Sequence, residues 1–175
     1  MSETSKGHKA EAPKKLRFGI FICSTSRYQM SQQGGKPEDV SGDLTESMLK
    51  KAGHTLVFRR IIPDEKVLIE KSVRQALKSD LDVVVFCGGT GIAPSDITIE
   101  TVSPFLEKVL PGFGEIFRSL SFDQIGSAAI LSRAIAGVAK GKVFFCIPGS
   151  PNAVKLCFEK LILPEAAHIV KHARE

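Results

Sequence analysis

The chain has 175 residues, enough for one domain with a substantial core, and its 43% hydrophobic and 25% charged residues are typical of globular proteins. The formal net charge is +5, but there is no dense Lys/Arg stripe and no interleaved aromatic residue, which argues against a nucleic-acid-binding surface. No apolar run reaches the roughly 18 residues that cross a bilayer, and no apolar stretch follows the charged N-terminus as in a signal peptide. We therefore expect a cytoplasmic protein whose partners include neither nucleic acid nor a membrane.

Residues 1–15 are polar, charged and contain proline. Such a segment buries too little apolar surface to fold, so we predict a disordered basic arm followed by a single domain over residues 16–175. Nucleic-acid binding by the arm is an alternative, and it would weaken steeply with salt concentration.

Strand and helix patterns alternate through the first half of the domain. A nearly continuous apolar run over residues 16–23 predicts a strand covered on both faces. Apolar residues recur at four-residue spacing from Val40 to Ala52, which predicts a helix ending at Gly53. Residues 55–62 form the next predicted strand, and a second helix is predicted to start after Pro63-Asp64.

The second half continues the alternation. Residues 82–87 predict another buried strand. Apolar spacing predicts a helix over residues 99–110 and a short helix over 113–120. A last helix is predicted over residues 151–172, with Pro164 bending or breaking it.

This alternation is typical of a doubly wound α/β domain. Because parallel crossovers are right-handed, the prediction is a three-layer α/β/α sandwich with a mostly parallel sheet. Residues 134–141 and the apolar run 143–147 predict a small hairpin at one edge, turning at Lys140-Gly141.

The cysteines are Cys23, Cys87, Cys146 and Cys157. Their spacings match no zinc-binding pattern and contain no CxxC motif. We interpret them as small buried apolar residues, with a disulfide or a catalytic thiol as alternatives.

In sheets of this type, ligands bind beyond the carboxyl ends of the strands, which places the candidate loops at residues 24–43, 88–96 and 148–152. The second loop begins with a glycine-rich turn whose backbone N–H groups suit phosphate, although a purely structural turn is the alternative. Its residues are Gly88, Gly89, Thr90 and Gly91. The motifs of P-loop enzymes, dinucleotide-binding folds and α/β-hydrolases are absent from the sequence.

Polar side chains in the same loops are candidates for the chemistry. Asp39 and Asp96 lie at the predicted carboxyl edge and could hold Mg²⁺ beside phosphates, although either could simply cap a helix. Arg133, next to Ser132, offers a planar donor fork for phosphate or a pterin carbonyl, and a surface arginine is the alternative. Ser150 is the predicted N-cap of the helix that starts at Pro151.

These motifs, taken in order, resemble the MogA/MoaB family of molybdenum-cofactor biosynthesis proteins over roughly residues 16–172. The resemblance rests on DVSG (39–42), AGH (52–54), FCGGTG (86–91) with Asp96, PGFGEIFR (111–118), SRA (132–134) and PGSP (148–151). The stretches FRSLSFDQIG and SRAIAGVAKGKVFF are more similar to the MoaB branch.

The resemblance implies a molybdopterin-binding fold that assembles into trimers or hexamers and transfers AMP from Mg-ATP to molybdopterin, releasing pyrophosphate. The product then receives molybdate or tungstate, which makes a molybdate-inserting protein a possible partner. By motif position, Asp39 and Asp96 serve catalysis and Mg²⁺ binding. The nucleotide and phosphate contacts are Gly88, Gly89, Thr90, Gly91 and Ser150. The pterin contacts are Glu115, Arg118, Ser132 and Arg133.

The sequence also departs from the family pattern. Ser95 stands where some members carry Arg or Lys, which removes one phosphate contact. Asp43 adds a third carboxylate that either binds metal or caps a helix. Glu115 and Arg118 stand three apart on a predicted helix, so an ion pair between them is the alternative to pterin binding. A non-catalytic molybdopterin-binding protein is the alternative function.

Overall fold

The computed structural model describes residues 13–175, and strands and helices alternate along most of that length. The strands are β1 (Arg17–Cys23), β2 (Thr55–Ile62), β3 (Val83–Cys87), β4 (Lys108–Val109), β5 (Ile135–Ala139) and β6 (Lys142–Ile147). The α-helices are α1 (Thr25–Gln32), α2 (Val40–Lys51), α3 (Lys66–Lys78), α4 (Thr98–Val102), α5 (Pro111–Ile125), α6 (Pro151–Cys157) and α7 (Leu163–Ala173). The predicted basic arm falls mainly on residues 1–12, which lie outside the described residues.

Within residues 13–175 the strands form one six-stranded sheet in the order β2-β1-β3-β6-β5-β4. The pairs β1/β2, β1/β3 and β3/β6 are parallel, whereas β5 pairs antiparallel with both β6 and β4. Alternate side chains of the central strands enter two separate cores, with Phe18 and Val85 on one face and Phe21 and Phe86 on the other. The predicted α/β/α sandwich with a mostly parallel sheet is confirmed.

The predicted hairpin is also confirmed, although its two strands, β5 and β6, do not form the edge of the sheet. Lys140 and Gly141 have φ angles of 49° and 68°, which is the left-handed conformation that a two-residue hairpin turn requires. The returning strand β6 is central in the sheet, and the edge is formed by β4, where Lys108 pairs with Val138. Both β4 residues are exposed, so hydrophobic periodicity gave no sign of this strand.

Two predicted helices need correction, and one helix was missed. The helix predicted over residues 99–110 ends after Val102, because Pro104 has no N–H to donate and the chain passes through a 3₁₀ turn into β4. The helix predicted as short is α5, which has 15 residues. Helix α1 was not predicted, since none of its residues is buried in the described chain and no apolar stripe marks it.

Pro164 does not break the last helical segment. A π-helical stretch, Phe158–Ile162, joins α6 to α7, and Pro164 occupies the first turn of α7. Proline is tolerated there because first-turn N–H groups have no partner within their own helix. Among residues 13–175, no helix combines the length and apolar character needed to cross a membrane.

The cysteines are buried and free, as the interpretation of small apolar residues requires, and they form no disulfide. Burial raises the pKa of the Cys23 thiol to about 12 and raises the pKa of Cys87, Cys146 and Cys157 as well. Because the thiolate is the reactive form, a raised pKa leaves almost no nucleophile at neutral pH.

We therefore expect the native protein at pH 7.5 to react very slowly with a chromogenic disulfide reagent. All four thiols should react promptly once the chain is unfolded in guanidinium chloride, which serves as the control. Stoichiometric labelling of the native protein would contradict the burial of these thiols.

Candidate functional site

The carboxyl edge of the sheet contains a polar cavity of about 320 Å³. It lies where β3 and β6 end, which is the position expected for a ligand in a parallel sheet. It is lined by Gly88, Gly89, Thr90, Gly91, Asp96, Leu131, Ser132, Arg133, Pro148 and Gly149. The structure thus brings together the predicted glycine-rich loop, one predicted carboxylate and the predicted Ser132-Arg133 pair.

The glycine-rich loop has a backbone that other residues would not adopt easily. Gly88 and Gly89 have φ angles of +108° and +62°. A Cβ on Gly88 would collide with the carbonyl oxygen of Cys23, and one on Gly89 would collide with Oγ1 of Thr98. The loop is fixed at both sides, since Gly88 N–H donates to Ile147 O (2.9 Å) and Thr98 N–H donates to Gly89 O (2.9 Å). At Gly88 and Gly89 the turn therefore presents to the cavity a rigid backbone without side chains.

Asp96 closes a turn beside this loop. Its Oδ2 accepts a hydrogen bond from Ala93 N–H at 2.9 Å, and it would lie 2.6 Å from a Cβ placed on Gly91. The N-cap of α4 is Ile97, so Asp96 does not cap that helix. Its carboxylate lies against the loop and faces the cavity, where a negative charge suits a hydrated divalent cation.

Asp64 lies in the same region but was not among the predicted site residues. Its Oδ2 accepts from the N–H and Oγ1 of Thr25 (3.0 and 2.9 Å), which leaves Oδ1 buried and without a hydrogen-bond partner in residues 13–175. Oδ1 would lie 2.7 Å from a Cβ on Gly89. Asp64 follows β2 as Gly88 follows β3, and this position was the signal that could have identified it. In the sequence, Pro63-Asp64 marks only the start of a helix.

Arg133 also lines the cavity and forms an ion pair with Glu100 of α4. Both side chains remain partly open to solvent, which makes the pair easy to exchange for another anion. The guanidinium is therefore placed to accept a phosphate in place of Glu100.

Asp39 does not line the cavity that contains Asp96. It is the N-cap of α2, where Oδ1 accepts from Gly42 N–H at 3.0 Å, and Arg59 Nε lies 3.6 Å from Oδ2. It lines a neighbouring cavity of about 470 Å³, together with Arg59 and Lys36. Asp43 pairs with the same guanidinium at 2.7 Å, so this additional carboxylate is held in an ion pair.

The loop after β6 lines the cavity that contains Asp96 and is hydrogen-bonded to α2, the helix that Asp39 caps. Ser150 is the N-cap of α6 and accepts from Ala153 N–H at 3.4 Å, as predicted. Ser41 Oγ of α2 donates to Gly149 O at 2.7 Å. Asp39 and the glycine-rich loop are therefore joined through α2 and Gly149, although they lie in different cavities.

Residues 19–168 match the model of a protein family described as a probable molybdopterin binding domain. The chain belongs to this family. Its relatives include the molybdenum cofactor biosynthesis protein B of Bacillus subtilis strain 168, 45% identical over 170 residues, which cover 96% of each chain. The molybdopterin adenylyltransferase of Pyrococcus furiosus is 44% identical over 172 residues, covering 96% of this chain and 97% of the relative.

A solved structure shares the fold at high similarity. The tungsten cofactor synthesizing protein MoaB from Pyrococcus furiosus superposes with a TM-score of 0.82 at 43% identity, covering 94% of this chain and all of that chain (100%). The resemblance to the MogA/MoaB family is therefore confirmed.

Two of the expected pterin contacts lie outside the cavity that contains Asp96. Glu115 and Arg118 belong to α5, and none of the ion pairs within residues 13–175 joins them, so the alternative of a mutual ion pair is wrong. Arg118 Nη1 instead lies over Gly114, at 3.1 Å from a Cβ placed there. Arg118 also borders an apolar depression formed with Phe122 and Ile130.

A divalent cation bound here would need ligands from a phosphate substrate as well as from the protein. Among residues 13–175, no three His, Cys, Asp or Glu side chains converge as a metal site. Asp64 nevertheless has a buried oxygen without a partner, and Asp96 lies against the loop. Mg²⁺ retains water and is commonly bound through one or two carboxylates plus substrate phosphates, so these two residues fit it.

Proposed function

We propose that this protein transfers the adenylyl group of Mg-ATP to molybdopterin and releases pyrophosphate. The observation that carries the proposal is the cavity in which a rigid glycine-rich loop, Asp96 and Arg133 surround one space, with Asp64 directly behind the loop. Each element suits a polyphosphate: backbone donors and a guanidinium for the oxygens, and carboxylates for a cation. The relative from Pyrococcus furiosus that is named for this activity supports the choice of reaction.

The chemistry needs positioning and charge neutralisation more than a general base. The terminal phosphate of molybdopterin is already anionic when it attacks the α-phosphorus of ATP, so no Ser/His pair is required. Mg²⁺ supplies neutralisation of the phosphate charge when it is bound. The loop amides orient the phosphate chain, and Arg133 leaves Glu100 to stabilise charge on the transferred group.

The proposed roles combine these positions with the family resemblance. Asp96 and Asp39 remain the proposed catalytic and Mg²⁺-associated carboxylates, and we add Asp64 because of its buried, unpartnered oxygen. The phosphate contacts are Gly88, Gly89, Thr90, Gly91 and Ser150. Ser132 and Arg133 contact the pterin or its phosphate within the same cavity. Glu115 and Arg118 do so from α5, outside that cavity. The proposal includes a cytoplasmic location and delivery of the product to a molybdate-inserting protein.

The test is to incubate the purified protein with molybdopterin and Mg-ATP and to follow adenylylated pterin and pyrophosphate together. Both products should appear in equal amounts and disappear when Mg²⁺ is chelated. Tight binding of molybdopterin without either product would contradict the proposed transfer and would favour the alternative, a non-catalytic binding protein.

We also propose that the protein assembles as a trimer or hexamer through the face formed by the end of α5 and the following 3₁₀ turn (Gly126–Leu131). Large apolar side chains are exposed there, namely Phe122, Ile125, Ile130 and Leu131, and Phe122 and Ile130 line one apolar depression. Exposed apolar surface of this kind marks an interaction site.

Replacing Phe122 and Ile130 together by aspartate should reduce the mass measured by light scattering to that of a single chain. The expected cause is the cost of burying two carboxylates in an apolar interface. Val67→Asp is the matched control, because Val67 is exposed on α3, away from this face, and should leave the mass unchanged. A monomeric wild-type protein would contradict the assembly.

A further inference from the structure

The last two turns of α7 carry a pair of histidines that has no part in the proposed reaction. His168 and His172 are one helical turn apart, and their Nε2 atoms lie 3.0 Å from each other. Their ring centroids are 4.7 Å apart. Both side chains are partly exposed to solvent.

Each of these rings is also held by a carboxylate on its other nitrogen. His168 Nδ1 lies 3.2 Å from Glu165 Oε2, and His172 Nδ1 lies 2.7 Å from Glu175 Oε2. A carboxylate only accepts hydrogen bonds, so each Nδ1 is the donor. In a neutral imidazole this leaves Nε2 with a lone pair and no hydrogen. Two lone pairs would therefore face each other across 3.0 Å, an arrangement that is favourable only when a proton or a metal ion is shared by the two nitrogens.

From this geometry we propose that His168 and His172 form a binding site for one divalent transition-metal ion of the zinc type. Neutral imidazole is a preferred ligand of such ions. Carboxylates that accept from the distal ring nitrogen are the usual means of orienting a metal-binding histidine. Within residues 13–175 the two histidines are the protein ligands of this site, since no group of three ligating side chains converges there.

The site is separate from the phosphate cavity. Just beyond the pair, Arg174 Nη2 lies 2.6 Å from Asp82 Oδ1, and Arg174 Nε donates to Gly141 O at 3.0 Å. Asp82 and Gly141 precede β3 and β6, so this end of α7 lies at the amino edge of the sheet, opposite to the cavity. A metal that joins two successive turns should stabilise this helix end, and the gain will appear as a higher melting temperature.

The experiment is calorimetric titration of the untagged, full-length protein, stripped with chelator and then dialysed, with Zn²⁺ at pH 7.5. We expect one Zn²⁺ per chain and a rise in melting temperature. His172→Gln should abolish both effects, and Glu175→Gln should weaken binding by about tenfold or more. His54→Gln, which removes a histidine that contacts Leu16 and Phe18 instead, should leave Zn²⁺ binding unchanged.

Two results would overturn the site. One is the absence of Zn²⁺ binding to the wild-type protein, which would mean that only a shared proton joins the two rings. The other is equal binding by wild type and His172→Gln. If the variant does not fold, X-ray absorption at the zinc edge of the wild-type complex decides the question, since the site requires two imidazole ligands and a spectrum with fewer than two excludes it.

Discussion

Replacing Asp96 by asparagine is expected to slow adenylyl transfer by about 100-fold or more, the scale of losing one fixed electrostatic contact to a transition state. Asparagine keeps an oxygen that can accept from Ala93 N–H, so the turn and the fold should persist. What it removes is the negative charge beside the glycine-rich loop. The rate of formation of adenylylated molybdopterin measures the effect, and an unchanged melting temperature shows that the cause is not unfolding.

Asp39→Asn is the matched comparison for this result. Asparagine caps helices as well as aspartate does, so the bond to Gly42 N–H should survive. Because Asp39 faces Arg59 and lines the neighbouring cavity, we expect a smaller loss of rate than for Asp96→Asn. Equal losses would place Asp39 beside Asp96 in the reaction, and wild-type turnover by Asp96→Asn would contradict its proposed role with Mg²⁺.

Asp64→Asn extends the comparison to a carboxylate that was not among the predicted site residues. Its Oδ2 bonds to Thr25 can be kept by an amide oxygen, whereas the charge near Gly89 is lost. A large loss of rate would assign the Mg²⁺-associated pair to Asp64 and Asp96. If Asp64→Asn were fully active while Asp39→Asn were not, the pair would be Asp39 and Asp96.

The sheet was predictable because strands covered on both faces must be apolar throughout. The runs that became β1, β3 and β6 follow this rule, and all five residues of β3 are buried. The elements that were missed, α1 and β4, have little buried apolar surface, and hydrophobic periodicity cannot detect such segments. Ser24, whose side chain accepts from Arg27 N–H, was the local sign of α1.

The site was predictable only where its residues belong to a single loop. The glycine-rich loop and Asp96 are close in sequence, and their position after an apolar strand indicated a phosphate site. Asp64 becomes significant only when the end of β2 is known to reach Gly89, which depends on strand order. Similarly, Asp39 and Asp96 both lie in segments that follow a buried strand, but helix α1 stands between β1 and Asp39, and the two carboxylates line different cavities.

Gly88→Ala is expected to produce the largest loss of stability, about 3 kcal/mol or more in the free energy of unfolding. Two independent effects contribute. The φ angle of +108° is strained for any residue with a Cβ, and the added methyl collides with Cys23 O. That carbonyl cannot move easily, because parallel pairing of Ile22 with Cys87 fixes the end of β1 against β3.

Gly53→Ala separates the two effects. Gly53 has a φ angle of +77°, and no atom of residues 13–175 lies within 4 Å of a Cβ placed there. This control therefore has the backbone strain without the collision, and it should lose about 1 kcal/mol. Denaturant titration of both variants measures the difference, and equal losses would contradict the tight contact between the loop and β1. Because backbone strain is common to both variants, the excess loss in Gly88→Ala reports how closely the glycine-rich turn is held against the central strands.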